Sequence, residues 1–210
     1  MPLTWFERPL LALAAILLPA TLLHAALQNP ADTPGGQASL AGQILIAAPG
    51  LRDPRFDHTV ILMVRHSAGG ALGIVLNRPL GERSLASLLD DIGEKNSGAT
   101  GSLRIFSGGP VQPEIGFVIH STDYHRPETV EIDGQVAMTS SREILRDIAS
   151  QHGPQMTLVA SGYAGWAANQ LEGELAQRAW FTAAAGTKLI FEEDRDKLWD
   201  DAMAHRTQNL

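Results

Sequence analysis

The sequence contains no cysteine, and basic residues are few. Without cysteine there are no disulfides, thiolate metal sites or cysteine nucleophiles, so any chemistry must use other side chains. Lys and Arg number 16 against 23 Asp and Glu, and the net charge of −7 disfavours nonspecific contact with nucleic acid. A hydrophobic fraction of 44% over 210 residues is typical of one globular domain.

Familiar catalytic motifs are also missing. The nearest approach to G-x-S-x-G is "VASGY", which has Val159 in place of the first glycine, and "AGTK" at 185–188 lacks the leading glycine of a P-loop. No H-E-x-x-H occurs, and four histidines lack a recognised metal-ligand spacing: His58, His66, His120 and His125. We therefore expect no metal, no cofactor and no catalytic residue set.

One apolar run stands near the N-terminus. "LLALAAILLPATLL" at 10–23, followed by small residues, has the layout of a secretory signal with cleavage after Ala25. The alternatives are an uncleaved membrane attachment through residues 10–27 and an ordinary cytosolic start. We expect a signal peptide or anchor at 1–25, a flexible linker at 26–41 and a folded domain at 42–210, in the periplasm or anchored to a membrane, with the cytosol as the alternative.

Several apolar runs predict strands. "QILIAA" (43–48) and "HTVILMVR" (58–65) read as buried strands, and "HSAGG" predicts a hairpin that joins the second of them to "ALGIVL". The group Asn77, Arg78 and Pro79 then stops that strand. Further strands are predicted at 103–106, 115–120 and 155–161, with a hairpin turn at Asp133 and Gly134 and a turn at "GYAGW".

Four helices are predicted between these strands. Ser84 caps a helix with an apolar stripe that ends at Gly93, and Ser140 with Glu143 forms a capping box for a second helix over 141–152. Helical spacing of apolar residues marks the other two: Leu171, Leu175 and Ala179, then Leu198, Trp199, Ala202 and Met203. Hairpins with interspersed helices favour an α+β fold over a doubly wound sheet.

Four blocks of sequence resemble the YqgE/AlgH family of bacteria. They are "ILIAAPGLRDPRFDHTVILMVRH", "GALGIVLNRPL", "GGPV" with "GFVIH", and "GYAGWAANQLEGELAQRAW". The resemblance implies a single α+β domain with a bent or bifurcated, mostly antiparallel or mixed sheet, a small barrel-like part and about four flanking helices. One member has given the family a label as a transcriptional regulator, but no catalytic residues come with it.

Polar residues and glycines at strand ends within these blocks are the candidate site. They are Asp53, His66, Asn77, Arg78, Gly108, Gly109 and His120. Together they would form a polar cleft in which Arg78 and backbone N–H groups of the glycine loop hold an anion. The alternative is that each residue only ends a strand or shapes a turn. Glu172 and Glu174 point about 200° apart on a helix and cannot act as a pair, and Trp166 and Trp180 are expected in the core.

Three hypotheses of function follow. The first is a non-catalytic binding or regulatory protein of the cell envelope whose partner is a protein or a small anionic ligand. The second is a cytosolic transcriptional regulator, although the strand predicted after Pro154 leaves no place for a recognition helix, so nucleic acid is an unlikely partner. The third is a cryptic hydrolase with His66 or His120 as its base.

Overall fold

The computed structural model describes residues 39–95, 97–192 and 194–207. Its ten strands are β1 Gln43–Ala47, β2 Val60–Ser67, β3 Gly70–Val75, β4 Pro79–Ser84, β5 Ser102–Ser107, β6 Val111–Ser121, β7 Val130–Asp133, β8 Val136–Thr139, β9 Thr157–Ala167 and β10 Trp180–Ala184. The α-helices are α1 Leu85–Asp91, α2 Glu143–Ala149, α3 Gln170–Ala176 and α4 Leu198–Ala204. A 3₁₀ turn, Pro54–Phe56, and a π turn, Lys188–Glu192, complete these elements.

Strand β9 is the centre of a curled half-barrel sheet. The sheet order is β10-β1-β2-β3-β9-β6-β8-β7, and every pair along it is antiparallel. The C-terminal part of β9 pairs with β3, whereas its N-terminal part pairs in parallel with β5, which carries β4 at its other edge. The sheet thus divides along β9, and the predicted α+β fold with a bifurcated, mostly antiparallel sheet is confirmed.

Both faces of the sheet are covered, which explains the continuous apolar runs. Along β1, Ile44 and Ile46 face a core that includes α4, while Leu45 and Ala47 face a second core that includes Leu171 of α3. Alternate residues of a strand point to opposite faces, so a strand buried on both sides has no polar positions. Helices α1 and α2 cover a third cluster.

The "GYAGW" segment belongs to β9 and is not a turn, so that prediction was wrong. Gly162 has a φ of +71°, which lets the strand bend without breaking, and the strand continues to Ala167. At this bend the Gly108–Gly109 backbone crosses β9, with the Gly108 N–H donating to the Ser161 carbonyl at 2.7 Å. Glycine at these positions permits two backbones to touch.

Local predictions were confirmed where a cap or periodic pattern was strong. Ser84 accepts from the N–H of Ser87 and caps α1, and the hairpin turn at Asp133 and Gly134 joins β7 to β8. The capping box of Ser140 with Glu143 was wrong, because α2 begins at Glu143 itself and its first turn has no side-chain cap. Strand β4 was missed since almost all its side chains are exposed and show no apolar pattern.

Candidate functional site

A cleft of about 670 Å³ lies between the loop that joins β1 to β2 and helix α3. One wall is the loop, through residues 48–53, 55 and 56; the opposite wall is α3 and the segment after it, through residues 170, 174 and 177–180. Pro110, Val111, Gly165 and Trp166 close the base. The two walls come from two of the sequence blocks that suggested the family, and the sheet brings them together.

A carboxylate held by two indoles forms part of the cleft. Glu174 Oε2 accepts from Trp166 Nε1 at 2.9 Å and from Trp180 Nε1 at 2.7 Å, and its Oε1 accepts from Gln170 Nε2 at 2.9 Å. The two indoles are almost fully buried and meet edge to face, with ring centroids 6.0 Å apart. The expected core packing of Trp166 and Trp180 is therefore accompanied by hydrogen bonding to Glu174.

Three arginines surround the cleft. Arg52 and Arg55 come from the loop wall and Arg178 from the wall of α3, and all three are exposed. Arg55 is already paired, because its Nη2 lies 2.6 Å from Asp53 Oδ2, and this contact lowers the pKa of the Asp53 carboxyl. Within the described part of the chain, Arg52 and Arg178 have no ion-pair partner. An anion entering the cleft would therefore meet two uncompensated guanidinium groups.

Asn77 and Arg78 hold the end of the loop wall in place. Asn77 Oδ1 accepts from the N–H of Val60 at 3.0 Å, and its Nδ2 donates to the His58 carbonyl at 2.8 Å. Arg78 donates to the Asp57 carbonyl. These contacts tie the loop to the end of β3, so in this structure both side chains bind backbone next to the cleft and neither lines it.

Replacing Asn77 by Ala is expected to lower the free energy of unfolding by about 2 kcal/mol. The substitution removes the hydrogen bonds of the Asn77 side chain to the Val60 N–H and the His58 carbonyl, and the N–H of buried Val60 then has no acceptor. Urea unfolding followed by circular dichroism measures the change. Exposed Gln135, replaced by Ala, is the control, and an Asn77 variant no less stable than this control would contradict the assigned role.

His66, on strand β2, holds helix α3 in position through a hydrogen bond to Glu172. Its Nδ1 accepts from the N–H of Leu40 at 3.1 Å, which places the proton on Nε2, and Nε2 donates to Glu172 Oε1 at 2.8 Å. A backbone hydrogen bond at its helix position and the bond from His66 hold the pKa of the Glu172 carboxyl below its ordinary value. Glu172 and Glu174 thus serve different partners, as the helical spacing predicted.

His120 lies in a buried chain of hydrogen bonds. Its Nδ1 donates to the Ser121 carbonyl at 2.8 Å, and its Nε2 accepts from the Thr139 hydroxyl at 2.9 Å, which in turn accepts from Thr129 at 2.8 Å. Burial lowers the pKa of His120. Both ring nitrogens of His66 and of His120 are occupied, so neither histidine offers the unbonded nitrogen that a general base needs in this state.

Stability is expected to decrease with acidification through His120. The unfolded chain takes up a proton near the ordinary pKa of 6.5, whereas the folded chain does so only at lower pH. The stabilising contribution of the neutral ring is complete above 6.5 and is lost between that value and the lower folded pKa, with a slope of at most about 1.4 kcal/mol per pH unit.

Urea unfolding of the wild type and of His120→Gln between pH 7.5 and 5 measures this contribution. Gln cannot titrate, so the variant should show a shallower loss of stability over the same range. Equal slopes for the two proteins would contradict the assignment to His120.

The predicted site residues therefore do not form one cluster. Asp53 lines the cleft, and Gly108 and Gly109 directly precede its base. His66 pairs with Ala71, which pairs with Trp166 near the C-terminal end of β9, whereas His120 pairs with Thr157 at its N-terminal end. The two histidines therefore lie toward opposite ends of β9. The prediction missed Arg52, Arg55 and Arg178, whose only signal was that they lie in the first and last family blocks. Glu174 was considered only as a partner of Glu172 and was not placed in the site.

The described residues contain neither a metal-binding cluster nor a membrane-spanning helix. Across 39–95, 97–192 and 194–207, no three His, Asp or Glu side chains are grouped as a metal ion would need. None of the helices in these ranges has the length and apolar character to cross a membrane. The apolar run at 10–23 lies outside the described residues.

The fold and the cleft define a class: a single α+β domain with a curled half-barrel sheet. A family model described as AlgH-like matches residues 44–210. The chain is 42% identical over 166 residues to a UPF0301 protein of Jannaschia sp., covering 78% of this chain and 86% of the relative, and 43% identical over 153 residues to one of Rhodospirillum rubrum, covering 73% and 80%. The chain belongs to the AlgH-like family.

Solved structures agree with this assignment. The solution structure of the AlgH protein from Pseudomonas aeruginosa is 36% identical, with a TM-score of 0.68 over 82% of this chain and 92% of that one. A crystal structure of a protein from Corynebacterium diphtheriae, 21% identical, has the same fold with a TM-score of 0.60 over 82% and 90%. The predicted resemblance to the YqgE/AlgH family is confirmed.

Proposed function

We propose that this AlgH-like protein is a non-catalytic binding protein whose ligand is a small anion held in the cleft between the β1–β2 loop and α3. The observation that carries the proposal is the pair of arginines, Arg52 and Arg178, that face one concave site from two walls without an ion-pair partner among the described residues. A guanidinium group offers several N–H donors in a plane that suits a carboxylate or phosphate.

The walls support binding in a preformed site. Phe56 of the loop packs edge to face on Trp180, with centroids 5.7 Å apart, and the N–H of Ala48 donates to the Ala179 carbonyl at 2.9 Å. These contacts join the loop wall to the segment that follows α3. A site that is already in place loses less conformational entropy on binding.

A small ligand fits the charge of the protein better than nucleic acid does. The net charge of −7 opposes a polyanion over an extended surface, whereas two arginines inside a cleft act at short range. The non-catalytic proposal is supported over the hydrolase alternative by the two candidate bases of that alternative, since His66 and His120 have both ring nitrogens hydrogen-bonded.

Titration of the full-length chain with acetate, succinate, benzoate and inorganic phosphate tests the proposal. Binding should shift the amide resonances of Leu51, Gly165 and Arg178 in ¹H–¹⁵N spectra. Arg52→Gln and Arg178→Gln should each weaken the binding of the tightest anion about tenfold. The control is Arg104→Gln on strand β5, whose exposed side chain makes a 4.0 Å contact with Glu82 of β4. If no anion shifts these resonances, or the control weakens binding equally, the proposal is wrong.

We also propose that the protein is exported, with residues 1–25 as the signal and the periplasm as the location. The support is the apolar run at 10–23 followed by small residues. Fractionation of cells with intact mass measurement should find a soluble periplasmic chain that begins at Ala26. An intact chain in the membrane fraction would indicate an anchor through residues 10–27, and an intact cytosolic chain would disprove export.

A further inference from the structure

We infer that the cleft binds a zwitterion, namely a small amino acid that carries a second carboxylate. The inference rests on the proposed function and names its ligand class. The ammonium group would contact Glu174, and the two carboxylates would contact Arg52 and Arg178. What indicates this class is the set of charges that line the cleft: one carboxylate whose donors are all neutral, Glu174, and two guanidinium groups, Arg52 and Arg178.

Glu174 has room for one more donor. A carboxylate offers about four acceptor positions, and three are filled by Trp166, Trp180 and Gln170. Both indole bonds go to Oε2, so the vacant position is on Oε1. An ammonium group that donates to Oε1 would complete the set without displacing any existing bond.

The charge of Glu174 is also uncompensated by a cation. All three of its donors are neutral, and within the described ranges it has no ion pair. Arg178 is four residues away along the chain, yet the backbone leaves the helix with a φ of +57° at Arg178, and the two side chains do not pair. A negative charge held by neutral donors on the wall of a cleft attracts a cationic ligand group.

The arginines determine which negatively charged groups the ligand needs. Asp53 already neutralises Arg55 through contacts of 2.6 to 3.2 Å, which leaves Arg52 on one wall and Arg178 on the other for the ligand. Arg52 and Arg178 lie on opposite walls. A ligand with two carboxylates can therefore pair with both arginines better than a ligand with one carboxylate can. A dicarboxylate without an amine would meet the arginines but would place no cation on Glu174.

Isothermal titration of the full-length chain with glutamate, aspartate, glutarate, succinate and N-acetylglutamate tests the inference. Glutarate lacks the amine of glutamate, and acetylation removes its charge, so glutamate or aspartate should bind at least about tenfold more tightly than these three analogues. Arg178→Gln should weaken the amino acids and dicarboxylates together.

Glu174→Gln is the matched variant. The Gln carbonyl oxygen can accept both indole N–H groups while the charge is lost, so the fold is retained and the advantage of the amino acid over its dicarboxylate should disappear. If dicarboxylates bind in the cleft as tightly as the amino acids do, the zwitterion inference is wrong, while the proposed anion site is retained. If none of the five compounds binds and the simple anions also fail, both are wrong. The comparison of ligands on the wild type decides the matter even where Glu174→Gln is unstable.

Discussion

Gly109→Ala is expected to abolish the fold. A Cβ at Gly109 would lie 2.1 Å from the carbonyl carbon of Tyr163 and 2.3 Å from the nitrogen of Ala164, both backbone atoms of β9. No side chain can turn aside to relieve these contacts, and a φ of +150° adds strain for any residue with a Cβ. Because β9 pairs with three other strands, a shift there would disturb the whole sheet. We expect a loss of about 4 kcal/mol or more, comparable to the total stability of many domains.

Thermal unfolding by circular dichroism and the dispersion of the NMR spectrum measure the effect of the Gly109 substitution. Gly134 is the matched control, since its added Cβ would meet nothing within 4 Å and its φ is not in the left-handed region. Gly134→Ala should change stability by less than about 0.5 kcal/mol. A folded Gly109→Ala protein with the melting temperature of this control would show that the crossing of the two backbones is not as tight as described.

Glu174→Ala is expected to cost about 3 kcal/mol. It removes the carboxylate that accepts from the N–H groups of Trp166 and Trp180, whose side chains are only 7% and 3% exposed. Each buried donor without a partner costs about 1–3 kcal/mol. The loss should appear in urea unfolding as a lower midpoint, together with a change in tryptophan fluorescence.

The control for this substitution is Glu131→Ala, at an exposed position of β7 that has no side-chain bond among the described residues. It should change stability by less than about 0.5 kcal/mol. Glu174→Gln should lie between the two, because its carbonyl oxygen can still accept from both indoles. If Glu174→Ala matches Glu131→Ala, the indole bonds contribute nothing to stability.

The fold was predictable from the sequence where a local pattern decides the structure. Ser84 and the stripe of Leu85, Leu88 and Leu89 gave α1, since capping and 3.6-residue periodicity act within one helix. The bend at Gly162 was not predictable in the same way. A glycine between aromatic and small residues reads as a turn, and only the crossing of Gly108 and Gly109 shows that the strand continues past it.

The candidate site was predicted less well for a related reason. Polar residues that end strands, such as Asn77, can bind nearby backbone groups instead of a ligand. The sequence pattern is the same in both cases, so it does not distinguish a structural residue from a binding residue. Arg52 and Arg178 stand in exposed turns without any pattern of their own. Both line one cleft because the sheet places the β1–β2 loop beside α3. This proximity depends on the tertiary structure, and a single sequence does not reveal it directly.

The pairing of β1 with β10 sets the order of events during synthesis. Residues Gln43–Ala47 take their partner from Trp180–Ala184, so one side of β1 stays open until the ribosome has added the intervening chain. At typical bacterial rates that interval is on the order of 10 s. The apolar β1 edge has no partner strand for that time, and a chaperone that recognises extended apolar segments can bind it before the sheet closes.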